Sequence, residues 1–442
     1  MMSFKSTPFY IVLLASALPW AAAAADSKML TYIPDALAAV AYMLFATQFP
    51  ERSFRIHPYF ATVLVLVMFH MTFGMLSGRG IGSAGLASLF MLTFVFSKLL
   101  DQGKTEHSAA AITHQISLIY IVHVVFILAE LSIRLSGHTD ILVAIAGHTT
   151  EVTKYKTYNS ANFLNYLGIH DISGMNSMLL GSQSASMLAL FAFFWFAPLY
   201  KGYSLANGGL PSKFWFIFSA VLFPFVVSMT AMALLAFLTF FMVYALPNSV
   251  LNRRSIWISA PLLAAAFSSV LFPLFAYRIQ RAADIEIYIA TFMDAPLHFM
   301  ELPLLDKVMG FGSNILESPI RAADFGLAMI TYHAGLFLVG LALICLVLMI
   351  IAVRRAIRRD SAGGFSKSPW AVVAGVNIVC AIGWAASLVH YTPALELGGR
   401  HLFAMHLAAC LISLRRLASA RRSEHQISFQ SVKPSALPDS SR

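Results

Sequence analysis

Arg278 and Arg281, three residues apart, are the pair in this sequence best suited to hold an anion. On a continuing helix they share a face, and two guanidiniums on one face suit bidentate capture of a phosphate or pyrophosphate. The plainer reading is interfacial: long cationic side chains at a helix end reach lipid headgroups or loop carboxylates. The segment 278–324 around them is the richest in polar side chains, including Asp284, Glu286, Asp294, His298, Glu301, Asp306, Lys307, Glu317, Arg321 and Asp324. Within it, Gly310-Phe311-Gly312 follows the apolar Leu302-Pro303-Leu304-Leu305, and such closely spaced glycines permit a tight loop and close approach of a ligand. Asp324 opens the next apolar run, as a cap on the positive end of a helix dipole or as a general base. Arg79, Arg400 and His401 fall at the ends of other apolar runs and would line the same cavity, Arg400 on a flexible turn after Glu396-Leu397-Gly398-Gly399.

Other ionisable residues lie inside apolar runs. His123 and Glu130, seven apart, fall on one face of a helix, and ionisable groups at such depth are functional candidates; the alternative is that they pair with each other or with neighbouring helices. For His70, His114, His333 and His406 a packing role is the simpler reading. No His, Cys and carboxylate set has the spacing of a metal site. No Walker loop, dinucleotide fingerprint, zinc-protease helix or nucleophile elbow is present. A primary pump and a nucleotide-activated donor are thereby disfavoured. Cys345, Cys380 and Cys410 all sit in apolar runs, without CxxC spacing, and read as packing residues.

The elements that must position these residues are membrane helices. The chain is 59% hydrophobic and 11% charged, with a mean hydropathy of +0.74, far outside the soluble range. A spanning helix needs roughly 20 apolar residues. The long, non-alternating runs therefore predict an all-α polytopic bundle rather than a barrel. Spans are expected near 8–25, 33–49, 58–76, 81–100, 110–133, 175–198, 213–228, 230–246, 256–277, 325–353, 369–390 and 399–414, about twelve transmembrane helices. With both termini in the cytoplasm, about 20 of the 30 basic residues fall on the inner side. The net charge of +10 is thus read as topology, with no nucleic acid as partner.

The expected organisation is a transmembrane domain over 1–416 with long outer loops at about 134–174 and 278–324, then a disordered basic cytoplasmic tail over 417–442. Lys5, an apolar stretch and the alanines 21–25 also read as a secretory signal, so residues 1–25 are either a first helix or a cleaved leader. Glu286–Met300 would lie amphipathically along the membrane surface.

Over roughly 30–415 this organisation resembles the O-antigen polymerase and ligase superfamily of bacterial envelope glycan assembly. Val227-Ser228-Met229-Thr230-Ala231-Met232-Ala233-Leu234-Leu235 looks like the family's Ser-Arg-small-small entry into a short helix. The stretch from Pro303 to Gly340 is similar to its Pro-x-x-Gly-x-Gly turn, polar helix start and helix with a Gly-rich middle. The resemblance implies an inner-membrane glycosyltransferase that joins undecaprenyl-pyrophosphate-linked oligosaccharides at the periplasmic face, with no metal and no cofactor. It makes Arg278 and Arg281 the donor-pyrophosphate contacts and Asp324 the catalytic residue alongside Arg281. Arg321, Arg400, Arg79, Gly310, Gly312 and His298 are the expected substrate-binding neighbours. The partners it implies are the lipid-linked oligosaccharide, membrane lipids, a flippase and a chain-length regulator.

Two departures stand out. Met229 occupies a position where many relatives carry arginine, so that contact is lost or supplied by Arg79 or Arg400. Asp324 stands in place of the His-Asn of many ligase-like members, which points to polymerase over ligase. The implied chemistry has arginines neutralising the leaving diphosphate and a carboxylate taking the acceptor's proton. The rival functions are a transporter, which usually shows repeated halves and broken helices, and a structural subunit of an envelope complex.

Overall fold

The computed structural model describes residues 6–24, 30, 32–53, 58–78, 84–101, 107–136, 138, 192, 195, 297–311, 326–361, 368–388, 395 and 397–431. Every regular element among the described residues is a helix. They are α1 (Thr7–Ala24), α2 (Ile33–Gln48), α3 (Pro50–Ser53), α4 (Pro58–Leu76), α5 (Ala84–Leu99), α6 (His107–Leu135), α7 (Leu304–Met309), α8 (Gly326–Ser361), α9 (Pro369–Ser387) and α10 (Leu397–Ser431). The apolar runs that predicted spans in these regions are helical, as a backbone in hydrocarbon must be. The expected spans 175–198, 213–228, 230–246 and 256–277 lie outside the described residues, except that Ala192 and Trp195 are helical.

Three of these helices are long and apolar enough to cross a membrane, over Gly326–Asp360, Pro369–Ser387 and Gly398–Ser419; α2, α4, α5 and α6 contain shorter apolar stretches. Their outward faces are apolar too. On α4, Val65 and Phe69 are more than half exposed, and on α8 so are Ile344 and Leu348. Faces of this kind belong against lipid, since water would drive them into contact. The chain is a membrane protein of helical architecture.

α10 is the axis of the bundle, packed against α1, α5, α8 and α9. Ala404, Ala408 and Ala409 on α10 are fully buried, and small residues let helix backbones approach in a membrane, where the hydrophobic effect no longer drives them together. α5 and α10 run parallel. Leu395, just before α10, lies 3.4 Å from where a β-carbon on Gly85 would sit. At the other end Asp101 pairs with Arg415 at 3.0 Å and with Arg416. α9 returns antiparallel, with Trp370 at its start beneath the Arg416 guanidinium at 6.0 Å. α2 turns Pro34, Ala38, Ala41 and Phe45 inward, the i, i+4, i+7 spacing of one helical face. The polar segment from 417 continues α10 as helix to Ser431.

α8 is broken. Gly335 adopts φ 71° and ψ 166° inside it, a conformation essentially confined to glycine. The upper turns, 326–334, are thereby set off from the long apolar remainder.

Candidate functional site

The break in α8 is where residues 308–311 dock. α7 ends at Gly310, which has φ 77° and ψ 169°, and this glycine lies against Gly335. A β-carbon on Gly310 would stand 2.6 Å from the Gly335 nitrogen, and one on Gly335 would stand 2.5 Å from the Gly310 nitrogen. Neither contact admits a side chain. The next residue extends the clasp: the Phe311 N–H donates to the Tyr332 carbonyl at 2.7 Å. Tyr332 is buried, with the Phe311 ring stacked at 6.4 Å and the Phe299 ring edge-on at 5.4 Å. From α4, His70 Nε2 donates to the Met309 carbonyl at 3.1 Å, and its ring lies parallel to that of Phe337 at 5.9 Å. The donor satisfies a carbonyl at the end of a short helix that has no further turn to bond. Residues 297–311 are therefore fastened to α4 and α8 at one end of the bundle.

A second polar group joins α2 to α10. Arg400 Nη2 donates to Asp35 Oδ2 at 2.6 Å, and His401 Nε2 lies 3.1 Å from Asp35 Oδ1. The Arg400 and Asp35 side chains are 12% and 27% exposed, and His401 is fully enclosed. Arg400 thus lies within a helix, held by a carboxylate, instead of on the flexible turn its glycine-rich approach predicts. An incoming anion would have to compete with Asp35 for this guanidinium.

A third group is buried in the middle of the bundle. The Tyr120 hydroxyl donates to His406 Nε2 at 2.7 Å, and His406 Nδ1 donates to Asn377 Oδ1 at 2.8 Å. Asn377 Nδ2 donates in turn to the Val373 carbonyl at 2.8 Å, which fixes the amide orientation and hence the neutral imidazole tautomer. Trp195 covers the group, its ring centroid 5.5 Å from that of His406, with Nε1 donating to Ser117 Oγ at 2.9 Å. The chain is Tyr–His–Asn, complete in its hydrogen bonds and closed to solvent.

Of the residues singled out by sequence, Arg79, Arg278, Arg281, Gly312, Arg321 and Asp324 lie outside the described residues. Gly310 has a positive φ and a close approach, and what approaches it is the α8 backbone. His298 is about half exposed and 3.5 Å from Glu301 one turn on. His123 is buried on α6. Among the described residues no three His, Cys, Asp or Glu side chains converge to hold a metal ion. Neither a protein-family model nor a curated protein matches the chain.

Sequence reasoning passed over Asp35, Tyr120 and Asn377, and met Gly335 only as part of a Gly-rich helix middle. Asp35 and Asn377 carried a signal, since each is a polar residue inside an apolar run. Nothing local in the sequence separates Gly335 from Gly340; in the structure Gly335 has a positive φ and is reached by residues 308–310, and Gly340 is not.

Proposed function

We propose that the chain is a bacterial inner-membrane glycan polymerase that transfers undecaprenyl-pyrophosphate-linked oligosaccharide repeat units at the periplasmic face. The observation that carries the reading is the clasp between Gly310 and Gly335, with Phe311 bonded to Tyr332. It falls within the stretch, Pro303 to Gly340, that resembles the polymerase and ligase superfamily. It also fixes residues 297–311 against α4 and α8, and surface chemistry on a lipid-borne substrate requires positioning of that kind.

In the proposed reaction the bond between the donor's anomeric carbon and its diphosphate oxygen breaks. A new bond forms to an acceptor hydroxyl oxygen, and polyprenyl diphosphate leaves. Arg278 and Arg281 neutralise the charge that develops on the diphosphate. Asp324 takes the hydroxyl proton. The test is a gel of surface glycan from cells carrying Arg278→Ala and Arg281→Ala together. Loss of long chains with single repeats retained is the expected pattern; an unchanged ladder removes the assignment. Loss of all attachment to the lipid core would make the chain a ligase.

The second reading is a transporter, favoured by the break in α8 and by the Tyr120–His406–Asn377 group deep in the bundle. Discontinuous helices and mid-membrane polar groups form substrate sites in such proteins. Purified protein in liposomes separates the two, because a polymerase lengthens a lipid-linked repeat with no gradient present.

A further inference from the structure

α8 ends in four exposed arginines, Arg354, Arg355, Arg358 and Arg359. At about 100° per residue they fall within an arc of about 140° on one side of the helix. The same arc carries the exposed aliphatic residues Leu343, Ile344, Val347, Leu348 and Ile351, each between 38% and 59% exposed. Val353, 1% exposed, points the opposite way, into a cluster with Ala374, Ile378 and Cys410. The arginines therefore continue the exposed aliphatic stripe and point away from the described helices α9 and α10.

Nor does any described carboxylate neutralise them. Asp360, the next acid in sequence, is turned toward α9, where its Oδ2 accepts the Ser368 N–H at 2.9 Å. No carboxylate of the described residues forms an ion pair with any of the four. The contrast is Arg415 and Arg416 on α10, which share Asp101.

We infer that this face of α8 is a binding surface for anionic phospholipid, its headgroup phosphates on the four guanidiniums and its acyl chains along the aliphatic stripe. The stripe from Leu343 to Ile351 is about 12 Å long at the helical rise, close to the roughly 15 Å of one leaflet's hydrocarbon. Clustered guanidiniums grip phosphate oxygens in pairs. A zwitterionic headgroup brings its own cation and gains less, and a soluble polyanion gains nothing from the stripe. The inference needs only a membrane-embedded chain and stands apart from the glycan reading.

The full chain in nanodiscs of phosphatidylcholine doped with labelled phosphatidylglycerol supplies the test. Each cation near an anionic surface is worth about fivefold in affinity. Arg354→Gln, Arg355→Gln, Arg358→Gln and Arg359→Gln together should therefore weaken phosphatidylglycerol retention by about a hundredfold or more. The all-lysine counterpart should retain most of it. In the unaltered protein, retention should also fall steeply as salt rises from about 0.05 to about 0.5 M, where screening shortens to a few ångströms. Retention within twofold in the glutamine variant, equal retention of phosphatidylcholine, salt-independent retention, or equal stabilisation by inorganic phosphate would each overturn the inference.

Discussion

A glycine is irreplaceable where both its backbone angles and its surroundings exclude a side chain, and Gly310 and Gly335 meet both conditions at once. Alanine at either position would incur strain of about 1–3 kcal/mol from the backbone alone, with a backbone clash added to it. Gly335→Ala should lower the thermal midpoint of the purified protein by several degrees or abolish its recovery. Gly340→Ala, five residues on with open space around it, should change the midpoint little. Equal midpoints for the two variants would mean that the clasp does not exist. Asp35 makes a different residue-scale prediction. Removing its charge takes from the Arg400 guanidinium the carboxylate it donates to, and for a partly buried pair the cost is about 1–3 kcal/mol. Asp35→Asn should therefore be far more damaging than Asp35→Asn with Arg400→Gln, and a double-mutant cycle on unfolding measures the coupling. The polar members of these sites were visible in the sequence as interruptions of apolar runs. Their partners were not, because Asp35 and Arg400 are 365 residues apart and no local spacing links them.

Helices in a membrane are held less by apolar attraction than by close packing and by bonds between helices. The Tyr120–His406–Asn377 group ties α6, α9 and α10 in this way. Single interhelical hydrogen bonds in a bilayer average about 0.6 kcal/mol, so Tyr120→Phe should cost little. Asn377→Leu should cost more, about 1–3 kcal/mol, because it strands a buried imidazole donor with no acceptor. Unfolding of the two variants in the same detergent checks the order; a reversed order would place the weight of the group on the tyrosine. Helix positions were the most legible feature of the sequence, with α4 running from Pro58 to Leu76 as its apolar run does. The break in α8 was illegible, because its cause is a backbone contact from α7 and no breaker residue marks it beyond a glycine like others in the run.

Among the described residues, the ion pairs between helices sort by end. Asp35, Arg400 and His401 gather where α10 begins, and Asp101, Arg415 and Arg416 gather about 22 Å further along the same helix at its standard rise. The α7 clasp, bonded to His70 on α4, leads to the end of α4 at Ser77. The distribution of basic residues predicts that Ser77 and the start of α10 face outward, and that the Asp101 end faces the cytoplasm. Single cysteines read this directly, because Cys380 and Cys410 are buried and Cys345 is only partly accessible. Ser77→Cys and Ala418→Cys occupy exposed positions at opposite ends. A membrane-impermeant maleimide added to spheroplasts should label Ser77→Cys at once and leave Ala418→Cys unlabelled until the membrane is opened. Reversed labelling would invert the chain, place the clasp and the 278–324 segment in the cytoplasm, and remove the periplasmic glycan chemistry with them. Labelling of both from outside would mean that α4 and α10 do not span as the parallel run of α5 and α10 requires. The orientation and the chemistry therefore stand or fall on one measurement, since a lipid-linked glycan can be extended only on the face where it is presented.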